Sequence, residues 1–344
     1  MDPLAEAIAR SPELFPFALD LAADQVTLIR LAEADYVQAS FLDERLLGKR
    51  TISRRTVPWR YLEDAAASLP MANASYIFHV GHVGSTLLSR LLGQHRRVFA
   101  LREPAILRTF AQVSSTSPSG PGSEDKFSRR LGTTLQLLSR TFQPDQRALI
   151  KVTSFVSELA ARILARGSES RAIFMFVPAE TYLATILGAE NSPAEARALA
   201  PSRLARLQGR VGPQPWSLSQ LSLGEIVAMS WVCEMSALAA AAGAAANRVL
   251  WLNFDGFLKN PASGLASVFA HLKIEATPNQ IDALLAGPEL RRYSKAPEHD
   301  YDASLRRAVL ENGRRQHPAE ISRGLDWINR AAEFTDIPKN VDND

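Results

Sequence analysis

The chain has 344 residues, with 39 lysines and arginines against 36 aspartates and glutamates. A hydrophobic fraction of 46% and a charged fraction of 22% are typical of a folded protein and exclude extensive disorder. The formal net charge of +3 is too small to indicate a duplex-DNA binder, so we expect no nucleic-acid partner. The single cysteine, Cys233, excludes a disulfide framework and suits a reducing cytoplasm.

Residues 1–70 are predicted to form a helical N-terminal extension. Residues 26–47 place apolar side chains at roughly helical spacing, which predicts a helix there. The N-terminus lacks the basic and apolar regions of a signal peptide. The longest apolar stretch, residues 238–246, is mostly alanine and too short to cross a bilayer. We therefore predict a cytoplasmic protein with no membrane span.

Residues 71–344 are predicted to form one α/β domain, because short apolar strands alternate with helices. Strands are predicted at residues 76–80, 98–101, 148–152, 172–177 and 248–254. Helices are predicted at residues 105–112, 125–141, 154–166 and 224–246, with another that ends near Gly188. This alternation predicts a mostly parallel sheet covered by helices on both faces. The proline-rich stretch of about 191–222, with a helix at 202–210, is interpreted as an insertion or lid.

Ligands of such sheets bind at the carboxyl ends of the strands, so the residues after each strand are the first candidates for chemistry. The first strand is followed by GHVGST, residues 81–86. Its glycines permit positive φ angles, and its backbone amides with the next helix N-terminus form an anion site. The Walker A lysine is missing, and an ordinary glycine-bearing turn is equally consistent with the spacing.

Glu103 and Lys151 follow the next two strands. A carboxylate beside a phosphate loop can act as a general base, although Glu103 also suits a purely structural place at a helix N-terminus. Lys151 can stabilise a developing negative charge, or it can be a structural lysine. His79 and His82 lie three residues apart with no third ligand evident, so no metal site is expected.

Together these motifs resemble the P-loop sulfotransferases, most closely the tyrosylprotein-like and bacterial members. The residues concerned are YIFHVGHVGSTLLSRLL, LREP, LIKVTSF and RYSKAP, in the family's order between about residues 76 and 303. The resemblance implies a P-loop-type sheet. It also implies transfer of a sulfuryl group from 3′-phosphoadenosine 5′-phosphosulfate to a hydroxyl or amine acceptor, a small molecule or a peptide, without a metal.

The resemblance also implies roles for particular residues. The implied catalytic residues are Glu103, Lys151, His82 and Ser294. The implied donor-binding residues are Gly81, His82, Val83, Gly84, Ser85, Thr86, Thr185 and Lys295.

Two positions depart from the family pattern. His82 stands where the family usually has lysine or arginine, and Phe176 and Val177 stand where an arginine holds the 3′-phosphate. Thr185 is a partial substitute for the family's serine. Arginines of the 191–222 stretch are candidate sources of the missing charge, namely Arg203, Arg206 and Arg210.

Two other functions stay open at this point. One is a P-loop small-molecule kinase that uses ATP or GTP, for which Asp255 is the candidate magnesium-binding acid. The other is a non-catalytic nucleotide-binding or partner-binding protein.

Overall fold

The structure is a computed structural model that describes residues 2–48, 52–115, 123–292 and 303–337. The strands within these ranges are β1 (Leu14–Asp20), β2 (Gln25–Arg30), β3 (Arg54–Pro58), β4 (Ser75–His79), β5 (Val98–Arg102), β6 (Arg147–Lys151), β7 (Ala172–Phe176) and β8 (Val249–Asn253). The helices up to residue 164 are α1 (Pro3–Arg10), α2 (Glu33–Gln38), α3 (Glu44–Leu47), α4 (Arg60–Ala66), α5 (Ser85–Gly93), α6 (Ala105–Ser115), α7 (Ser123–Leu138) and α8 (Ala160–Leu164).

The remaining helices lie in the second half of the chain. They are α9 (Ala179–Leu187), α10 (Ser192–Val211), α11 (Leu223–Ala244), α12 (Phe254–Lys259), α13 (Pro261–His271), α14 (Pro278–Ala286), α15 (Ala303–Gln316) and α16 (Pro318–Ala331). Single turns of 3₁₀-helix occupy Ser154–Leu159, Ala246–Arg248, Pro288–Arg291 and Ala332–Phe334.

A five-stranded parallel sheet forms the centre of the protein, in the order β5-β6-β4-β7-β8. Every residue of β4, β5 and β7 is buried, because helices cover both faces. This confirms the α/β fold class predicted from the short apolar strands. The order places the ends of β4, β5 and β6 side by side, so the residues that follow them share one edge of the sheet.

The first 70 residues differ from the prediction, because they include a three-stranded antiparallel sheet in the order β1-β2-β3. The predicted helix at 26–47 is wrong as a single helix, because β2 occupies its start and only α2 and α3 are helical; the predicted helical extension is a mixed segment of strands and short helices. The physical reason is visible in β2, where Val26 and Leu28 are buried on either side of the less buried Thr27. The β-branched residues Val26, Thr27 and Ile29 favour a strand.

Buried arginines attach this N-terminal segment to the rest of the protein. The Arg102 guanidinium donates to the carbonyls of Ala39 at 2.7 Å and Val37 at 3.0 Å. Arg140 donates to the carbonyls of Ser11 at 2.6 Å and Leu14 at 3.0 Å. One continuous cluster of buried apolar side chains includes residues of both parts. The boundary at residue 70 stays a prediction.

The stretch around residues 191–222 contains one long helix, α10, of 20 residues. The predicted helix at 202–210 is only its second half. Pro193 lies in the first turn, where a missing N–H costs nothing, and Pro201 is accommodated inside the helix. Prolines that indicated a loop in the sequence are therefore compatible with a helix here.

By length and composition alone, α11 is long and apolar enough to cross a membrane. It is the one helix with these properties among the described residues. Of its apolar window, 78% is buried within the protein. It packs against α10 and α16, as the core helix of a globular fold does.

Candidate functional site

A cavity of about 410 Å³ lies where β4, β5 and β6 end. Its lining comprises Phe41, Arg45, His79, Gly81, His82, Val83, Gly84, Ser85, Thr86, Glu103, Arg108, Lys151, Thr153, Ser154 and Glu195. The predicted loop at 81–86 and the two predicted catalytic residues Glu103 and Lys151 therefore share one cavity.

The loop between β4 and α5 turns sharply through three residues with positive φ, namely Gly81 at 95°, His82 at 55° and Gly84 at 67°. Left-handed backbone is uncommon outside glycine, so His82 is held in a strained conformation. His79 fixes the start of the loop, because its Nδ1 accepts from the Gly81 amide at 3.0 Å. Since Ser85 begins α5, the unsatisfied amides of the first helical turn lie at the cavity.

A polar group in this loop lacks a partner. The Thr86 hydroxyl is buried and forms no hydrogen bond with any described residue. Buried hydroxyls are normally paired, because an unmade hydrogen bond costs roughly 1–3 kcal/mol. This hydroxyl, the helix N-terminus and the loop amides fit an anion with several acceptor oxygens.

Gly84 is required by its surroundings, because a Cβ atom at this position would overlap the Phe254 ring. We expect Gly84→Ala to lower the free energy of unfolding by roughly 1–3 kcal/mol, since alanine is also strained at a φ of 67°. The measurement is urea unfolding. Gly243→Ala is the matched control, because a Cβ there meets nothing within 4 Å and φ is not positive. Equal stability of the two variants would contradict the tight packing of the loop.

Glu103 lies at the centre of a cluster of charges. Lys151 Nζ donates to its Oε1, and Arg45 and Arg108 approach Oε2 at 3.0 and 3.4 Å. Asp43, which is buried, accepts from the same two guanidinium groups. Glu103 itself has a φ of 54° and donates its amide to the Lys151 carbonyl at 2.6 Å. The ends of β5 and β6 are thus joined through both backbone and side chains.

This cluster decides the charge of Glu103. Burial raises the pKa of the carboxyl group, but the ammonium of Lys151, with a smaller contribution from Arg45, outweighs burial and holds the pKa at about 2. Glu103 is therefore ionised at neutral pH and is a weak base while Lys151 is paired with it. An anion that competes for Lys151 would raise this pKa.

The other residues predicted for the site are either outside this cavity or outside the described residues. The Thr185 hydroxyl donates to the Thr181 carbonyl at 2.7 Å within α9, and Thr185 is not part of the cavity lining. Ser294 and Lys295 lie outside the described residues, so their roles stay predictions. The three arginines of α10 contact buried or half-buried carboxylates instead of the cavity, with Arg203 and Arg206 on Glu234, and Arg210 on Glu158.

Sequence reasoning missed several lining residues. Arg108 lies one helical turn beyond Glu103, and that spacing could have indicated it. Arg45 and Phe41 come from the N-terminal segment, and Arg45 reaches Glu103 across a separation of 58 residues. Spacing along the chain carries no information on such a contact. Thr153 lies two residues after the end of β6, so the rule that indicated Lys151 could also have indicated Thr153.

Asp255, the magnesium ligand that the kinase alternative requires, has another partner. Its carboxylate accepts from Arg306 at 2.5 Å, and Asp255 is not part of the cavity lining. Over the part of the chain that the structure describes, no group of three or more histidine, cysteine, aspartate or glutamate side chains is placed to hold a metal ion.

No protein-family model matches the sequence, and no curated protein matches it. Solved structures similar to this chain include a sulfotransferase domain from the curacin biosynthetic pathway, 12% identical with a TM-score of 0.43, covering 77% of this chain and 99% of that domain. A Mycobacterium avium sulfotransferase is 11% identical with a TM-score of 0.41, covering 75% of this chain and 80% of that one. Retinol dehydratase, crystallised with retinol and PAP, is 11% identical with a TM-score of 0.37, and the match covers 98% of this chain and 97% of that one. Because these values are low, the functional proposal rests on the cavity residues.

Proposed function

We propose that this chain is a sulfotransferase-like enzyme. It would bind 3′-phosphoadenosine 5′-phosphosulfate in the cavity and transfer the sulfuryl group to a hydroxyl or amine acceptor. The observation that carries the proposal is the meeting of an anion-binding loop, Glu103 and Lys151 at the ends of three neighbouring strands.

In this proposal the loop holds the phosphosulfate end of the donor. Amides at Gly84, Ser85 and Thr86 face the phosphate, with the positive end of α5 behind them. The Thr86 hydroxyl gains the partner that it lacks among the described residues. His82 and Lys151 provide donors for the leaving and bridging oxygens. Ser294 and Lys295 are proposed to complete the site from the segment before α15.

The reaction moves one sulfuryl group and one proton. The acceptor oxygen bonds to sulfur as the bond between sulfur and the bridging oxygen breaks, and the electron pair of that bond leaves with adenosine 3′,5′-bisphosphate. Glu103 accepts the proton of the acceptor hydroxyl, and Lys151 stabilises the charge that develops on the bridging oxygen. Fixed dipoles and positioning are sufficient for such a step, so the proposal requires no metal.

The ion pair of Glu103 with Lys151 implies that the donor binds before Glu103 acts as a base. In the free protein Lys151 is paired with Glu103 and lowers its basicity. A sulfonate bound beside Lys151 would compete for the same ammonium group, and the pKa of Glu103 would rise toward its usual range. The carboxylate would therefore become a better base when the donor is in place.

Thermal unfolding with different nucleotides tests the proposal against its alternatives. Adenosine 3′,5′-bisphosphate without magnesium should stabilise the protein, by about 2.7 kcal/mol at a concentration of about 100 times its Kd. Adenosine is the control, because it lacks both phosphates. A shift with ATP and magnesium alone would favour a kinase. No shift with any of these nucleotides would contradict the proposal and favour a non-catalytic protein.

A further inference from the structure

The wall of the cavity beyond Lys151 carries a hydroxyl group that the fold does not use. Thr153 lines the cavity, and its Oγ1 is buried with no hydrogen-bond partner among the described residues. Thr153 also occupies the cap position before the 3₁₀-helix Ser154–Leu159, yet its side chain makes no capping hydrogen bond. Threonine at such a position normally caps the backbone, so the hydroxyl is free to serve a ligand.

The backbone around Thr153 is held firmly on both sides. Before it, the Val152 carbonyl contacts His79 Nε2 at 2.9 Å. After it, the Phe155 carbonyl accepts from Arg206 Nη1 at 2.9 Å. Because the Thr153 Oγ1 is buried in the observed rotamer, it would reach a ligand in the cavity by rotation about χ1, which exchanges the hydroxyl with the methyl group on a fixed backbone.

Arg206 is itself fixed by a buried network between α10 and α11. Its guanidinium donates to Glu234 at 2.6 Å, and both side chains are completely buried. The Ser157 hydroxyl donates to the other oxygen of Glu234, so two residues of the 3₁₀-helix are tied to one ion pair. The network therefore anchors the 3₁₀-helix that begins directly after Thr153.

We propose that the Thr153 hydroxyl binds an oxygen of the transferred sulfuryl group, and that Arg206 is the residue that positions it. This inference rests on the proposed function, since the sulfuryl group is the ligand. Thr153 lies two residues from Lys151 and lines the same cavity, so both side chains would contact the end of the donor that reacts.

The test is calorimetric titration of Thr153→Val with the intact donor and with adenosine 3′,5′-bisphosphate, which lacks the sulfuryl group. We expect donor affinity to fall by about 10-fold, as for a lost hydrogen bond to a charged group, with bisphosphate affinity unchanged. The free variant should be as stable as the wild type or more stable, because the lost hydroxyl has no partner. A structural role for Thr153 would instead lower stability.

Thr134→Val is the matched control, because it removes another buried, unpartnered hydroxyl on α7, outside the cavity lining. It should leave both affinities unchanged. Equal donor affinity in Thr153→Val and Thr134→Val, or an equal loss of donor and bisphosphate affinity in Thr153→Val, would overturn the sulfuryl contact. Absence of bisphosphate binding in the wild type would instead refute the proposed function.

The positioning role is tested separately with two conservative variants of α10. Arg206→Lys keeps the charge beside Glu234 but cannot also reach the Phe155 carbonyl, so donor KM should rise several-fold more than in Arg203→Lys. Arg203 shares Glu234 and contacts Ser230, away from the 3₁₀-helix. Donor KM values that are equal in the two variants would overturn the role of Arg206.

Discussion

Glu103→Gln is expected to lower turnover of the sulfuryl donor by about 10²–10⁴-fold, the usual contribution of a general base. Glutamine keeps the shape of the side chain but cannot accept a proton from the acceptor at neutral pH. Donor binding should persist, because the loop at 81–86 is unchanged. The loss should therefore lie in kcat, with a much smaller change in the KM for the donor.

The assay for this variant follows transfer from labelled donor to an acceptor that the wild type uses. Folding of the variant is checked separately, because the substitution leaves Lys151, 1% exposed, without its carboxylate partner. Glu275→Gln is the control, since Glu275 is 89% exposed and pairs with Arg97 at the surface. Turnover equal to that of the wild type in Glu103→Gln would remove the assigned base.

Glu234→Gln is expected to reduce the free energy of unfolding by about 3–5 kcal/mol, the cost of breaking a buried ion pair from one side. The side chains of Glu234 and Arg206 are both 0% exposed, so the guanidinium would keep its charge with only the more distant carboxylate of Glu158, at 3.7 Å, as a counterion. Glu234 also accepts from Ser157, and this hydrogen bond would weaken too. Chemical denaturation at neutral pH measures the change.

Glu180→Gln provides the comparison on the surface. Glu180 is 38% exposed and its partner Arg314 is 46% exposed, so the loss should stay within about 1 kcal/mol. If Glu234→Gln were as stable as Glu180→Gln, the buried network between α10 and α11 would not anchor the 3₁₀-helix Ser154–Leu159 in the way that we propose.

The central sheet and its loop could be predicted from the sequence because each rests on local patterns. Apolar runs such as residues 76–80 are too short for helices and read as buried strands. Parallel strands end at a common edge, so the sequence alone predicts that Glu103 and Lys151 belong to one site. Glycines at positions 81 and 84 indicated a turn with positive φ, as observed.

The contributions of distant segments could not be predicted in this way. The first 70 residues form a sheet because β2 pairs with β1 and β3, and helical spacing of a few leucines does not distinguish that outcome. The contact of Arg45 with Glu103 depends on how the N-terminal segment packs on β5. Likewise, the arginines of α10 pair with Glu158 and Glu234, which no spacing rule indicated.

The central claim is that the cavity at the ends of β4, β5 and β6 holds the donor nucleotide. An experimental structure with adenosine 3′,5′-bisphosphate tests it most directly. We predict that the 5′-phosphate lies against the amides of Gly84, Ser85 and Thr86, within hydrogen-bond distance of the Thr86 hydroxyl and facing Lys151. A nucleotide bound away from this loop, or side chains that fill the cavity in its place, would contradict the account.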